Sequence, residues 1–134
     1  PVAEAHLLAD KPLRSADRLL VAAASGTVDR DATLHRARRE FKRARYAFEV
    51  LTPIDGESAR TLAGRIAELQ EVLGAHQDAI VTANVLRDYA MRAHAGGENA
   101  FSYGVLYRRQ IEAAEAALGD LERAVLRARE ARYF

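Results

Sequence analysis

Apolar side chains recur every three or four positions along most of this chain, which is the spacing of one buried face on an α-helix. The pattern breaks at three stretches rich in Gly, Ser, Asp or Pro, which indicate loops at residues 25–31, 52–58 and 93–99. Four helices are therefore predicted, over residues 12–25, 31–51, 59–92 and 100–133. No alternating strand pattern competes with them. Amphipathic helices joined by short loops predict an all-α fold, an antiparallel four-helix bundle.

The predicted helix ends follow from Pro and Asp residues. Pro12 is expected in the first turn of the first helix, where its missing N–H costs little, and residues 1–11 are then a tail or the end of an earlier helix. Asp29 or Asp31 is placed to cap the second helix. That helix should stop before Pro53, because the residue preceding a proline avoids helical backbone angles. The length of 134 residues fits a single bundle domain over residues 1–134.

Two residues of the third predicted helix carry expectations of their own. Gly74 lies inside the helical pattern and Asp78 follows at a spacing that suits a new helix cap, so a kink or break is expected at residues 74–78. His76 falls on the apolar seam of this helix. We interpret it as a buried histidine that is hydrogen-bonded to a neighbour, in preference to a ligand.

The second predicted helix holds a strong local excess of positive charge in a chain whose net charge is only +1. Residues 34–51 read LHRARREFKRARYAFEVL, with six Lys or Arg and one His against two carboxylates. On a helix, one seam of this segment is apolar and two cationic stripes lie beside it. The first stripe holds His35, Arg38, Lys42 and Arg45, and the second holds Arg36, Arg39 and Arg43.

This charge pattern is unusual for a solvated helix face, which normally mixes both signs. Arg38–Lys42 and Arg39–Arg43 are like-charge pairs four residues apart, and each pair costs a few tenths of a kcal/mol. Such pairs indicate that a counter-anion is present. The spacing alone leaves three anions open: a nucleic-acid backbone, a polyphosphate, or the acidic surface of a partner protein.

Composition and motifs exclude several classes of function. The chain has no cysteine, which excludes disulfides and thiolate metal sites and fits a reducing, cytoplasmic compartment. No apolar run is long enough to span a membrane. Phosphate-binding glycine loops, HExxH and GxSxG motifs are all missing. We therefore expect no cofactor, no metal site and no enzymatic activity; an enzyme would need a metal held by carboxylates such as Glu71 and Asp78.

The basic segment resembles the basic helix of CHAD domains, which are helical domains named for their histidines. Its matching positions are Leu34, His35, Arg38, Lys42, Arg43, Arg45 and Tyr46. A second segment, LQEVLGAHQDAIV, is similar to the family's LQ-x-x-LG-x-x-x-D pattern through Leu69, Gln70, Leu73, Gly74 and Asp78. A weaker third match is FSYGVLYRRQ, where Phe101 and Gly104 stand as in the family's last helix.

The resemblance implies a non-catalytic domain that binds inorganic polyphosphate, in the cytoplasm and in association with polyphosphate granules. CHAD domains carry basic residues on the inward side of their helices and bind the polyphosphate through them. The polyphosphate-binding residues implied here are His35, Arg38, Arg39, Lys42, Arg43, Arg45, Tyr46, Arg108 and Arg109. Nucleic acid is the alternative polyanion, although few aromatic residues are interleaved with the basic stripe to stack bases.

The resemblance covers one half of a CHAD domain. A complete domain resembles two related four-helix halves, each with its own basic helix, whereas this chain has one such helix and resembles the C-terminal half. We therefore expect either a missing N-terminal half or a homodimer that rebuilds a two-sided site. The chain also departs from the family pattern, because Arg36 and Glu40 stand at usually neutral or apolar positions and His76–Gln77 replaces the usual Leu-Asn.

Overall fold

The structure, a computed structural model, describes residues 2–26 and 28–132, without the side chains of residues 2–8, 52, 54, 55, 131 and 132. Its helices are α1 (Val2–Ser25), α2 (Arg30–Ala95) and α3 (Phe101–Arg132). Helix α2 is broken at Gly56, where the backbone leaves helical angles, so it consists of arm 1 (residues 30–55) and arm 2 (residues 57–95). The four helical segments confirm the predicted all-α, antiparallel four-helix bundle, and no strand occurs among the described residues.

Helix α1 begins ten residues earlier than the sequence indicated. The chain is helical from Val2, so residues 2–11 are not a tail and Pro12 lies inside the helix. A proline there removes one helical hydrogen bond. Ala9 and Leu13 on either side of it are buried in the core, and their packing offsets that loss.

The connection between the two arms is shorter than the predicted loop of residues 52–58. Helical structure continues on both sides of Gly56, and Pro53 lies inside the helix. Gly56 has φ 60° and ψ −125°, a backbone conformation that glycine adopts readily and other residues do not. The chain therefore reverses direction at this glycine. Gly56 is the one non-helical residue within α2, so the break expected at residues 74–78 was wrong.

The start of arm 1 agrees with the prediction from its acidic residues. Asp29 has extended backbone angles, and its side chain accepts a hydrogen bond from the backbone N–H of Ala32 at 3.3 Å. This contact satisfies one of the free N–H groups in the first helical turn. Asp29 is thus the N-cap, and Asp31 lies within the first turn of the helix.

The core is formed by the apolar seams of all four segments. The seam predicted for arm 1 is buried along its whole length, at Leu34, Ala37, Phe41, Ala44, Phe48 and Leu51. Arm 2 contributes Ile66, Leu69 and Leu73, which are at most 2% exposed. Full burial of a large apolar side chain stabilises a fold by about 1.5–3 kcal/mol. The core therefore fixes which face of arm 1 points inward and leaves the basic stripe at its edge.

Arm 2 and α3 extend beyond arm 1. Arm 2 has residues 57–95 against residues 30–55 in arm 1, so it is about 20 Å longer at 1.5 Å per residue. Arg30, at the start of arm 1, contacts Glu115 of α3 at 3.2 Å. Beyond this contact, arm 2 and α3 continue as a projecting pair of helices to the loop at residues 96–100. In this pair Tyr89 and Tyr103 stack with 6.0 Å between their ring centroids.

Candidate anion-binding site

The basic stripe of arm 1, defined as His35, Arg38, Lys42 and Arg45, lies beside the buried seam. Its members are three or four residues apart, so they share one helix face. His35, Arg38 and Arg45 are half-buried, and Lys42 is exposed. From His35 to Arg45, ten positions later, the stripe runs about 15 Å along the helix axis. It therefore presents an elongated cationic surface at the edge of the core.

Arg38 connects arm 1 to arm 2. Its Nε donates a long hydrogen bond of 3.4 Å to the backbone carbonyl of Gln70. Its guanidinium also lies directly over Gly74, so closely that a Cβ on that glycine would be 3.2 Å from Nε. Within the described residues no carboxylate pairs with Arg38. The terminal nitrogens of this half-buried guanidinium therefore have donors to offer to an incoming anion.

The wall that faces the stripe carries amides and small side chains. Gln70 and Gly74 contact Arg38, and Gln77 shares their helix face by its spacing. Gln70 is only 7% exposed, and its side-chain oxygen has no partner among the described residues. We call the surface formed by the basic stripe of arm 1 and these three residues of arm 2 the inter-arm surface. These wall residues are neutral, so they do not compensate the positive charge of Arg38.

Arg45 and Lys42 share a contact with an aromatic ring. The Arg45 guanidinium carbon lies 5.2 Å, and Lys42 Nζ 5.8 Å, from the ring centroid of Tyr46. Arg45 Nε is also 3.4 Å from a carboxylate oxygen of Glu49, but without hydrogen-bond geometry, so this buried N–H is unsatisfied. A cation–π contact at an exposed site contributes about 0.5–1 kcal/mol. The half-exposed Tyr46 thus helps to hold both cations in place.

Arg39 and Arg43 lie on a different side of arm 1. Both are exposed, and their positions on the helix place them nearly opposite the buried seam. Arg43 donates to a carboxylate oxygen of Glu40 at 2.9 Å, which compensates its charge. The structure therefore separates these two cations from the inter-arm surface, in agreement with their separate stripe in the sequence, although the family resemblance implied that they bind the same ligand.

Arg108 and Arg109 are remote from the stripe. The ion pair of Arg127 with Glu68 sets the register of α3 against arm 2. Arg108 precedes Arg127 by nineteen residues, about 28 Å along α3, whereas Arg38 lies level with Gln70, close to Glu68. This places Arg108 roughly 20 Å from the stripe along the bundle axis. Arg108 is also paired with Glu112 at 3.3 Å.

His76 is part of the fold rather than of the stripe. It is 1% exposed, and its Nε2 lies 3.4 Å from a carboxylate oxygen of Asp31 without hydrogen-bond geometry. Burial lowers the pKa of His76 below its usual value, although the neighbouring Asp31 acts in the opposite direction. Arg30 bonds Asp31 and Glu115, which links this cluster to α3. The prediction that His76 is buried is confirmed, but the expected hydrogen bond is absent at Nε2, whose nearest carboxylate is that of Asp31.

His35, the remaining member of the stripe, precedes Arg38 by one helical turn. Its ring is half-buried, and its Nδ1 has no hydrogen-bond partner within the described residues. An imidazole nitrogen can donate or accept a hydrogen bond, depending on its protonation. His35 therefore has a buried ring nitrogen whose hydrogen-bonding capacity is unused among the described residues.

Gln70 and Gly74 are site residues that the sequence pattern does not assign. Both belong to the LQEVLG segment, where the resemblance singles them out without a role. Their spacing of four residues places them on one helix face. They face Arg38 because of the way the two arms pack together, and helical periodicity does not predict that packing.

Another concave surface lies between α1 and α3, and its chemistry differs. It is a groove of about 470 Å³ whose lining includes Leu20, Leu118, Leu121 and Val125. Arg30, Glu122 and Arg129 are its charged lining residues. An apolar lining of this kind suits no polyanion, so the inter-arm surface remains the candidate site.

Metal sites and membrane spans are both absent from the described part of the chain. Among those residues, no group of three or more His, Asp or Glu side chains could hold a metal ion. None of the helices, over the same residues, is long and apolar enough to cross a bilayer.

The fold and the inter-arm surface define an all-helical protein with a cationic face at the seam of two helices. Residues 2–87 match the CHAD domain family, and the chain belongs to that family. The resemblance of the two motifs is thereby confirmed.

Curated relatives occur in Mycobacterium tuberculosis. Two proteins of that organism, one from each of two strains and both named only as uncharacterized, are 34% identical to this chain over 117 residues. The match covers 79% of this chain and 21% of each relative. The chain thus spans about a fifth of the length of these relatives. No solved structure matches it significantly.

Proposed function

We propose that this chain is a non-catalytic module that binds inorganic polyphosphate along the inter-arm surface. Arg38 and Lys42 contact the phosphates directly, Arg45 contributes a third cation, and His35 adds a hydrogen bond. Tyr46 positions Lys42 and Arg45 through its ring.

The observation that carries this proposal is the environment of Arg38. A half-buried guanidinium normally has a carboxylate partner, because removing a charge from water is costly. Arg38 instead has a single long bond to a backbone carbonyl among the described residues. An anion at this position would supply the missing partner and form charge-assisted hydrogen bonds, each contributing about 1.5–3 kcal/mol.

The shape of the stripe favours a linear polyanion over a single phosphate. The four residues extend about 15 Å along arm 1, so several consecutive phosphates can each meet a cation. Gln70, Gly74 and Gln77 carry no charge, and no carboxylate among the described residues pairs with Arg38. The CHAD domain family is associated with the binding of polyphosphate and triphosphate, which supports the same class of ligand.

A titration of the purified chain with long-chain polyphosphate tests this proposal. We expect wild type to bind, and Arg38→Ala to lose roughly 10- to 100-fold in affinity, since one charge-assisted contact is removed. Arg123→Ala is the matched control, because Arg123 is an exposed arginine on α3 that is already paired with Asp120. Absence of binding by wild type, or equal affinities for the two variants, would contradict the proposal.

A competition experiment distinguishes polyphosphate from nucleic acids as the ligand. Polyphosphate, single-stranded RNA and DNA are compared as competitors at equal phosphate concentration. We expect polyphosphate to compete best, since the proposed contacts involve phosphates alone. Stronger competition by RNA or DNA would favour a nucleic-acid-binding protein, and failure of all three would favour an acidic protein partner.

We further propose that a second basic helix completes the site. It belongs either to a second copy of this chain or to an N-terminal CHAD half, such as a longer protein could supply; the curated relatives are about five times longer than the matched segment. Sedimentation velocity with and without polyphosphate tests the homodimer. A dimer that forms or strengthens with the ligand supports it, and a monomer in both conditions contradicts it.

A further inference from the structure

We infer that Gly74 is a positioning residue for Arg38, and that its missing side chain is what allows the guanidinium to lie across arm 2. This inference rests on the proposed function, because it assigns a role within the same site. It also makes a claim about the unliganded protein that can be tested without any anion.

The distances around Gly74 support this role. A Cβ built on Gly74 would lie 3.2 Å from Arg38 Nε, 3.5 Å from one terminal nitrogen and 3.7 Å from the guanidinium carbon. The three nearest atoms all belong to Arg38, so a side chain at this position would meet the guanidinium first. The closest atom is Nε, whose N–H donates the hydrogen bond to Gln70.

Gly74 has no conformational reason to be glycine. Its backbone is helical and its φ is not positive, in contrast to Gly56. Glycine in the middle of a helix lowers stability relative to residues with a side chain. Since the backbone does not require it, the glycine is explained by the close approach of Arg38.

A substitution at Gly74 should therefore lower the affinity for polyphosphate without lowering the stability of the fold. Gly74→Leu places a side chain where the guanidinium lies, so Arg38 must leave Gln70 and swing away from arm 2. We expect polyphosphate affinity to fall roughly 10- to 100-fold, as in Arg38→Ala. The helix should be as stable as in wild type or more so, because leucine is a better helix former than glycine.

Gly64→Leu is the matched control, since Gly64 lies in the same arm, is exposed, and has open space where a Cβ would be attached. We expect this variant to bind like wild type. The double variant Gly74→Leu/Arg38→Ala should bind no more weakly than Arg38→Ala, because both changes remove the same contact. Thermal unfolding monitored by circular dichroism checks that each variant is folded.

A measurement without ligand decides the inference independently. The Arg38 Nε–H is followed by ¹⁵N NMR at mildly acidic pH, and its exchange with water should be faster in Gly74→Leu than in wild type or Gly64→Leu. Unchanged exchange in Gly74→Leu would overturn the positioning role. So would wild-type affinity in Gly74→Leu when Arg38→Ala has lost affinity. If wild type fails to bind polyphosphate, the proposed function fails, and the exchange rates still decide the role of Gly74.

Discussion

The salt dependence of polyphosphate binding is a quantitative consequence of the basic stripe. Arg38, Lys42 and Arg45 are its permanent cations. Each phosphate that a cation neutralises releases condensed counterions. For single-stranded nucleic acids the logarithm of the binding constant falls with the logarithm of salt by about 0.7 per contact, and we apply the same value to polyphosphate. Three contacts predict a slope of about −2 for wild type.

The structure also predicts how this slope divides among the residues. Arg38→Ala and Lys42→Ala should each reduce the magnitude of the slope by about 0.7, because neither cation has a carboxylate partner among the described residues. Arg45→Ala should change it less, since Arg45 already lies 3.4 Å from Glu49 and a phosphate must compete with that carboxylate. Arg123→Ala, at a paired arginine on α3, should leave the slope unchanged.

Titrations over a series of NaCl concentrations, by calorimetry or fluorescence, give these slopes directly. A slope near zero for wild type would mean that the stripe does not contact phosphates. The same slope in Arg38→Ala as in Arg123→Ala would refute the assignment of Arg38, whatever the absolute affinities.

Four further substitutions test the fold. Phe41→Ala removes a core side chain that is 2% exposed, so the free energy of unfolding should fall by about 3–5 kcal/mol in urea denaturation. Gly56→Ala places a side chain at φ 60° and should lower it by about 1–3 kcal/mol, whereas Gly64→Ala, in regular helix, should raise it by up to about 1 kcal/mol. His76→Leu should reduce the loss of stability in acid, measured by unfolding at several pH values.

The sign of the His76 effect follows from its lowered pKa in the folded state. The unfolded chain binds the proton first, at its ordinary pKa of about 6.5. The stability that His76 contributes is therefore complete above that pH and decreases as the pH falls toward the folded-state pKa. Unchanged acid sensitivity in His76→Leu would contradict this account.

The expected strain at Gly56 would be contradicted if Gly56→Ala and Gly64→Ala changed the free energy of unfolding equally.

Helical periodicity predicts most of the fold. Spacing alone assigns the seam of arm 1, which is buried from Leu34 to Leu51. Asp29 is one of two candidates for the N-cap, and its side chain makes that contact. These features are local, since a helix face and a cap depend on residues within a few positions of one another.

The features that the sequence does not predict depend on tertiary packing. Pro12 indicates a helix start, but burial of Ala9 and Leu13 extends α1 through it. The segment around Gly56 contains Pro, Asp, Gly and Ser, which are typical of loops, yet a single positive φ is sufficient to reverse the chain. Local residue preferences indicate where a helix can end, whereas tertiary packing determines where it does end.

The candidate site is predicted in part for the same reason. Spacing places His35, Arg38, Lys42 and Arg45 on one stripe of arm 1, and the structure keeps them together. It separates the remaining cations, because Arg39 and Arg43 face solvent and Arg108 lies on the projecting helices. Whether a cation joins a site depends on the register between helices, which a single helix pattern does not specify.

The two sequence motifs that identify the family meet at one contact. Arg38 belongs to the first motif, and Gln70 and Gly74 belong to the second; Arg38 and Gln70 are separated by 32 positions along the chain. The motifs are therefore two halves of one structural unit, in which arm 2 supports the guanidinium that arm 1 presents. This unit predicts a dependence that neither motif suggests alone: a bulky side chain at the position of Gly74 should displace the guanidinium of Arg38. A chain that keeps the arginine but has a bulky residue opposite should bind polyphosphate as weakly as Arg38→Ala.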